Sequence, residues 1–295
     1  MLKSINIFEK EGKDKIYCRI REKGDTHSEE AYIFLNRIFS NVSQYIDSDI
    51  IQEITIQFHP RFWEIYLASS LMESDLNLEK STSRDGPDIC VKSNCGGRIW
   101  VEAVTSSSGN AKDAIKELEF GIIRDVPDDE IKLRILNSFS EKNRKYLQYL
   151  KNGFIKDDEP YIIGINAAQV PSSRRELEIP RIVRSLLPFG YLSLHIGVED
   201  LSLMNTSYEY QGEVIKISGS SVDTTSFLNH EYSGISAVIY SCDDIFNHPT
   251  EISRSLLLFH NPLARNPLPL GFLKKGSEYW VMEDCTILKK KSWNA

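Results

Sequence analysis

The chain has 295 residues, 41% hydrophobic and 26% charged, with a formal net charge of −7; it can bury a large core and does not have the composition of a disordered chain. No apolar run approaches the length of a membrane span, and the N-terminal MLKSINIFEKEGKDKIY has no signal-peptide apolar segment, so a cytoplasmic protein is expected. The acidic balance argues against a protein that coats nucleic acid but leaves room for an enzyme with a local basic groove, because the field at the site is what matters.

Residues 1–27 are polar and charged, with one strand-like run at 15–20 (KIYCRI). Residues 29–46 carry apolar side chains at helical spacing. A short strand is expected at 51–58, and a helix at 60–74 begins on Pro60, where a missing N–H costs nothing. Strands follow at 87–92 and 98–105, joined by the turn Asn94-Cys95-Gly96-Gly97, and 106–110 reads as a loop. A long helix at 127–151 opens on acidic residues that suit its dipole and ends at Asn152-Gly153. The apolar run 161–166 reads as a buried strand. A Pro/Ser/Arg-rich connection at 169–184 enters a helix at 181–187; 208–218 looks like the two arms of a hairpin; 235–242 and 255–260 are further strands. Asn261-Pro262 and Asn266-Pro267-Leu268-Pro269 make a rigid C-terminal loop. This order predicts an α/β fold, a central mixed β-sheet flanked by helices, with 1–58 as a lead-in carrying one helix and 59–295 as the α/β domain.

The five cysteines (Cys18, Cys90, Cys95, Cys242, Cys285) are odd in number and lack a C-x-x-C pair, so reduced structural thiols are expected. The six histidines show no metal-binding spacing. No G-x-S-x-G, G-x-G-x-x-G or phosphate-loop motif is present, which argues against a serine hydrolase, a dinucleotide enzyme or an NTPase.

The chemistry concentrates in Gly86-Pro87-Asp88 and Trp100-Val101-Glu102-Ala103-Val104. Asp88 and Glu102 sit on adjacent predicted strands and can together hold a hard cation such as Mg²⁺. Glu102 is a lone charge in a strand apolar on both faces, costly unless paired or bound to metal; a pair with Arg98 is the plain alternative. For Asp88 the plain alternative is a turn aspartate. Glu64 falls on the apolar stripe of its helix, or pairs with Arg61 three residues before it. In the long helix Ile135, Leu136, Phe139, Tyr146, Leu147 and Leu150 trace a buried stripe, and Lys142 lies on it, with Lys145 further round. A lysine there snorkels to solvent or meets negative charge, which Glu102 and Asp88 would supply. Arg174 and Arg175, with Arg181 and Arg184 beyond, form a cluster suited to phosphates or, equally, to a solvated face.

Helix glutamate, Pro-Asp, hairpin and strand glutamate together resemble the PD-(D/E)xK nuclease superfamily, the restriction endonuclease-like fold, over residues 60–166, with the later strands as additions. The resemblance implies metal-dependent hydrolysis of DNA, rather than RNA, by a restriction or defence enzyme. Asp88 and Glu102 would be the ligands of Mg²⁺ (or Mn²⁺ in its place), and Glu64 the accessory carboxylate. Val104 departs from the pattern, which expects lysine there. A lysine supplied from the neighbouring helix would restore the site, Lys142 first and Lys145 second. Nucleic acid would meet Arg174, Arg175, Arg181 and Lys145. A homodimer is a state the resemblance admits, although the sequence locates no interface. If no lysine returns, the fold serves as an inactive module that binds nucleic acid or protein.

Overall fold

The computed structural model describes residues 6–80, 85–93, 96–109, 114–117, 119–198, 203–282 and 288–293. The run expected as a strand at 15–20 is a helix, α1 (Lys15–Glu22), whose cap Asp14 accepts from the Ile16 and Tyr17 N–H groups. Tyr17 and Ile20, three apart, are its buried residues; so short an apolar run fits either period, and the aspartate cap favours the helix. Asp25 caps α2 (Thr26–Val42) in the same way. The strand expected at 51–58 is likewise absent: α3 (Ile50–Glu53) and a turn occupy it. The buried apolar residues there, Ile50, Ile54 and Phe58, recur at every fourth position, a helical spacing. Then α4 (Phe58–Glu73) buries almost all its apolar side chains.

The sheet begins as an antiparallel meander of β1 (Leu78–Glu79), β2 (Ile89–Lys92) and β3 (Arg98–Ser107). Strand β3 runs two residues past the expected loop boundary. The turn before it closes with the Ser93 N–H donating to the Gly97 carbonyl at 2.8 Å and with Gly96 at φ +86°; Asn94 and Cys95 lie outside the described residues. The long helix α5 (Asp128–Asn152) ends on Gly153 in the left-handed conformation at φ +72°, as a glycine there allows. It crosses over to β4 (Tyr161–Gln169), parallel to β3.

After α6 (Arg181–Leu186), the segment expected to pair with itself at 208–218 is split between two small antiparallel pairs. One joins β5 (Phe189–Ile196) to β6 (Leu203–Tyr210), the other β7 (Glu213–Ile215) to β8 (Ser221–Asp223). The large sheet then takes β9 (Ala237–Ser241) parallel to β4, followed outward by β10 (Leu257–His260), β11 (Gly276–Val281) and β12 (Leu288–Trp293). The result is an α/β fold with an eight-stranded mixed sheet.

The alternation of β3 divides the core. Ile99, Val101 and Ala103 join the apolar cluster under α1, α2 and α4, while Trp100 and Val104 pack with α5 and α6. Helices thus cover both faces, as the sequence predicts. On α5, Leu147 proves 51% exposed and Tyr149 is buried, which corrects the inner stripe there. Cys18, Cys90 and Cys242 are free thiols; Cys95 and Cys285 lie outside the described residues. Among the described residues no helix is long and apolar enough to cross a membrane.

Candidate active site

The register Ile89↔Val101 between β2 and β3 puts Asp88 opposite Glu102, one step beyond the end of β2. There the Ala103 N–H finds no β2 carbonyl, and Asp88 Oδ2 accepts from it at 2.7 Å. The aspartate thus does structural work with one oxygen and presents the rest of its carboxylate to a cleft.

Glu102 points to the α5 face and is fully buried. Its charge is met by three donors. Lys142 Nζ lies 2.8 Å and Lys145 Nζ 2.6 Å from Oε1, and the Tyr149 hydroxyl is 3.0 Å from Oε2. The same hydroxyl is 3.1 Å from the Gly86 carbonyl, so its one proton ties Glu102 to the backbone just before Asp88. Residues 142, 145 and 149 stand three and four apart, one face of a helix. Arg98, the plain partner for Glu102, pairs with Glu79 instead. Val104 packs against the apolar cluster beneath α5, and the positive charge comes from the helix.

A cleft of about 780 Å³ opens over this constellation, and Glu64, Asp88, Lys145 and Tyr149 are among its walls. Lys142 and Glu102 lie behind them. Both lysines expected from the sequence therefore reach Glu102, but Lys145, with 40% of its side chain exposed against 12% for Lys142, is the one a substrate can touch. Glu64 forms the ion pair with Arg61 foreseen as its plain role, and Arg61 also meets Glu53 at 3.0 Å.

The electrostatics are those of crowded carboxylates. Burial first, then the charges of Glu102 and Glu64, raise Asp88 well above the ordinary carboxylate range, against the pull of Lys142 and Lys145. Burial likewise raises Glu64, partly offset by Arg61. Burial and then Glu102 and Asp88 push the Tyr149 phenol far up, so it stays a donor at any working pH. Burial disfavours the charge on Lys145, but Glu102, Asp88 and Glu64 outweigh it and raise its pKa.

This donor set suits a hard cation, because it is all oxygen and short of positive charge on the cleft side. Among the described residues no three His, Cys, Asp or Glu side chains close around a metal. A cation held by Asp88 and Glu102 would keep most of its shell as water, and Glu102 would have to be shared with its lysines.

The expected nucleic-acid contacts fare differently. Arg181 is 1% exposed, bonded to Asp128 and to the Ser173 and Arg175 carbonyls, and Arg184 is buried on the same aspartate. This corrects Arg181 as a phosphate contact: its helix is buried on every side. Arg174 pairs with Asp244 at 2.6 Å and lines a separate cavity of about 300 Å³, and Arg175 stays exposed. Neither lines the Asp88 cleft, whose basic walls among the described residues are Arg61, Lys80 and Lys145. Sequence reasoning missed Tyr149, although its spacing from both lysines signalled it. No protein-family model matches the chain, nor does any curated protein or solved structure.

Proposed function

We infer that the chain is a metal-dependent nuclease of the PD-(D/E)xK kind that hydrolyses DNA phosphodiester bonds, with a restriction or defence role. One observation carries the reading: a fully buried strand glutamate, opposite Asp88 at the floor of a cleft, is held by two lysines from the neighbouring helix. That is the lysine the strand itself lacks at Val104. A Mg²⁺ or Mn²⁺ ion bound by Asp88 and Glu102 would supply a more acidic water and neutralise charge on a phosphate oxygen.

The chain's own residues do the rest. Lys145, at the cleft wall, orients the attacking water and offsets charge that develops in the transition state. Lys142 holds Glu102 from behind. Tyr149 fixes the carboxylate's rotation relative to the backbone at Gly86. Glu64 with Arg61 completes the wall and sets the field over Asp88.

An inactive nuclease-fold binding module is the second reading. It is favoured by the same contacts seen differently, since Glu102 already spends both oxygens on protein donors. Against it, Asp88 and Glu64 are crowded carboxylates whose charge burial and their acidic neighbours disfavour, a cost that gives an idle site no benefit.

The deciding experiment is Mg²⁺- or Mn²⁺-dependent cleavage of supercoiled and linear DNA by wild type, Glu102→Ala and Lys145→Ala, with metal binding followed by calorimetry. Metal-dependent cutting abolished in both variants is the expected result. No cutting of DNA or RNA by wild type, together with no metal binding, would move the reading to the binding module.

A further inference from the structure

At the carboxyl ends of β4 and β9 the chain leaves two neighbouring parallel strands toward opposite faces of the sheet. After β4 it turns to the α5 side, where Val170, Ile179 and Ile182 are buried. After β9 it turns to the α4 side, where Ile245 and Ile252 are buried. Such a divergence opens a crevice, the place where open α/β sheets take ligands. Here it is a cavity of about 300 Å³, with Arg174, Glu176 and Pro180 on one side and Ser241, Asp243 and Ser255 on the other. It shares no residue with the Asp88 cleft.

We propose that this crevice binds a small organic cation, an ammonium or guanidinium group on a short aliphatic body, with its charged head against the Asp243 and Glu176 carboxylates. The donor balance selects that charge. Arg174, the one basic wall among the described residues, is engaged by Asp244 at 2.6 Å and the Asn247 carbonyl at 3.4 Å. Asp243 takes the Tyr66 and Ser255 hydroxyls both on Oδ2, which leaves Oδ1 without a donor among the described residues. Glu176 takes the Arg181 backbone N–H on Oε2 at 2.9 Å, with the Arg181 guanidinium 3.5 Å from the same oxygen and the Tyr240 hydroxyl as a further donor. A carboxylate accepts about four such bonds, so both acids keep room for a ligand donor. Burial raises Glu176 above the ordinary carboxylate range, against the pull of Arg181 and Arg184, and a ligand cation would relieve that cost. An anion would face both carboxylates and find the guanidinium already engaged. The cavity also selects an organic ion over a bare metal. Its volume is at the lower end of small-molecule pockets, and Pro180, Leu257 and the Tyr240 ring give it apolar wall. Among the described residues no three His, Cys, Asp or Glu side chains close around a metal.

Ligand-observed NMR titration of the full chain, without metal or nucleic acid, tests this apart from the nuclease reading. The probes are butylguanidinium, its neutral isostere butylurea, and pentanoate, each taken into the millimolar range. Butylguanidinium is expected to bind at least about tenfold tighter than either, the least that a hydrogen bond to a charged group is worth. Asp243→Asn and Glu176→Gln keep acceptors for the hydroxyls and for the Arg181 N–H. Each should weaken butylguanidinium about tenfold with unchanged circular dichroism. Butylurea or pentanoate binding as tightly as the cation overturns the proposal, and so does a cation that does not bind. A preference that survives in both folded variants puts the cation on another acidic surface, such as the Asp88 cleft, and overturns it too. Should the variants fail to fold, alkylation of Cys242, a free thiol in the cavity wall, decides on wild type. Slowing by butylguanidinium but not by butylurea supports the site, and an unchanged rate refutes it.

Discussion

At Glu102 three donors share two oxygens, and they are not equivalent. Lys145 is half-exposed at the cleft wall and Lys142 is nearly buried behind it. Lys145→Ala should therefore lower cleavage on the order of a hundredfold or more with little loss of stability. Lys142→Ala leaves a buried carboxylate short of a partner and should cost about 3 kcal/mol in urea denaturation. Indistinguishable stabilities would remove this division of labour. Asp88 offers a second comparison. Its carboxyl is raised by burial and by Glu102 and Glu64, so folding takes up a proton there. Stability is then lost as pH rises from the ordinary carboxylate range through the raised folded value. Asp88→Asn keeps an acceptor for the Ala103 N–H and removes the repelling charge. It should raise the Tm of the metal-free protein at neutral pH, lose the Tm increase given by Mg²⁺, and converge with wild type as the pH falls. A lower Tm at neutral pH would show that no charge strain is held at Asp88.

At the scale of elements, α5 was legible because its acidic first turn, long apolar stripe and Asn-Gly stop agree with one another. Arg181 was misread because its helix has only six residues, too few for one face to declare itself polar. Its partner is Asp128 at the first turn of α5, where Arg181 and Arg184 converge and Lys132 lies 3.5 Å away. Burial opposes the charge on Asp128, but Arg184, Lys132 and Arg181 overcome it and hold the carboxyl down to about 2. A depressed folded pKa stabilises the fold above the unfolded value of 3.8 and loses that contribution as pH falls through about 2. Asp128→Ala strands two buried guanidinium groups and should cost about 3–5 kcal/mol at neutral pH. The gap to wild type should narrow below pH 3.8. A gap that stays constant on acidification would mean that Asp128 contributes packing rather than charge. Helices α1 and α3 show the other limit of sequence reading. Apolar residues at 15–20 and 50–58 are too few to fix a period; the Asp14 cap and contact with α2 decide the first, and contact with α4 the second.

For the whole molecule, the sequence placed Glu102 and Lys142 together because each broke a local rule, a charge in an apolar strand or on a buried stripe, while Asp88 joined them by its position across the hairpin and Lys145 as the second choice further round the helix. It could not place the cleft, which depends on how residues 43–53 fold over α4. That wall changes the electrostatics. Among the described residues the cleft is lined by six carboxylates (Asp47, Asp49, Glu53, Glu64, Asp85 and Asp88) against Arg61, Lys80 and Lys145. Such a field opposes a phosphate backbone until a divalent cation reverses it. DNA should therefore bind in the cleft only when cations are present, even where no bond is cut. Lys145→Gln gives a variant expected not to cleave, and fluorescence anisotropy with labelled duplex can follow it in Mg²⁺ and in EDTA. Binding is expected with Mg²⁺ and at least tenfold weaker binding in EDTA. Its dependence on monovalent salt should be shallow, because three basic side chains neutralise few phosphates. Equal affinity in EDTA, with a steep salt slope, would put the DNA on another surface and separate its binding from the carboxylates at Asp88 and Glu102.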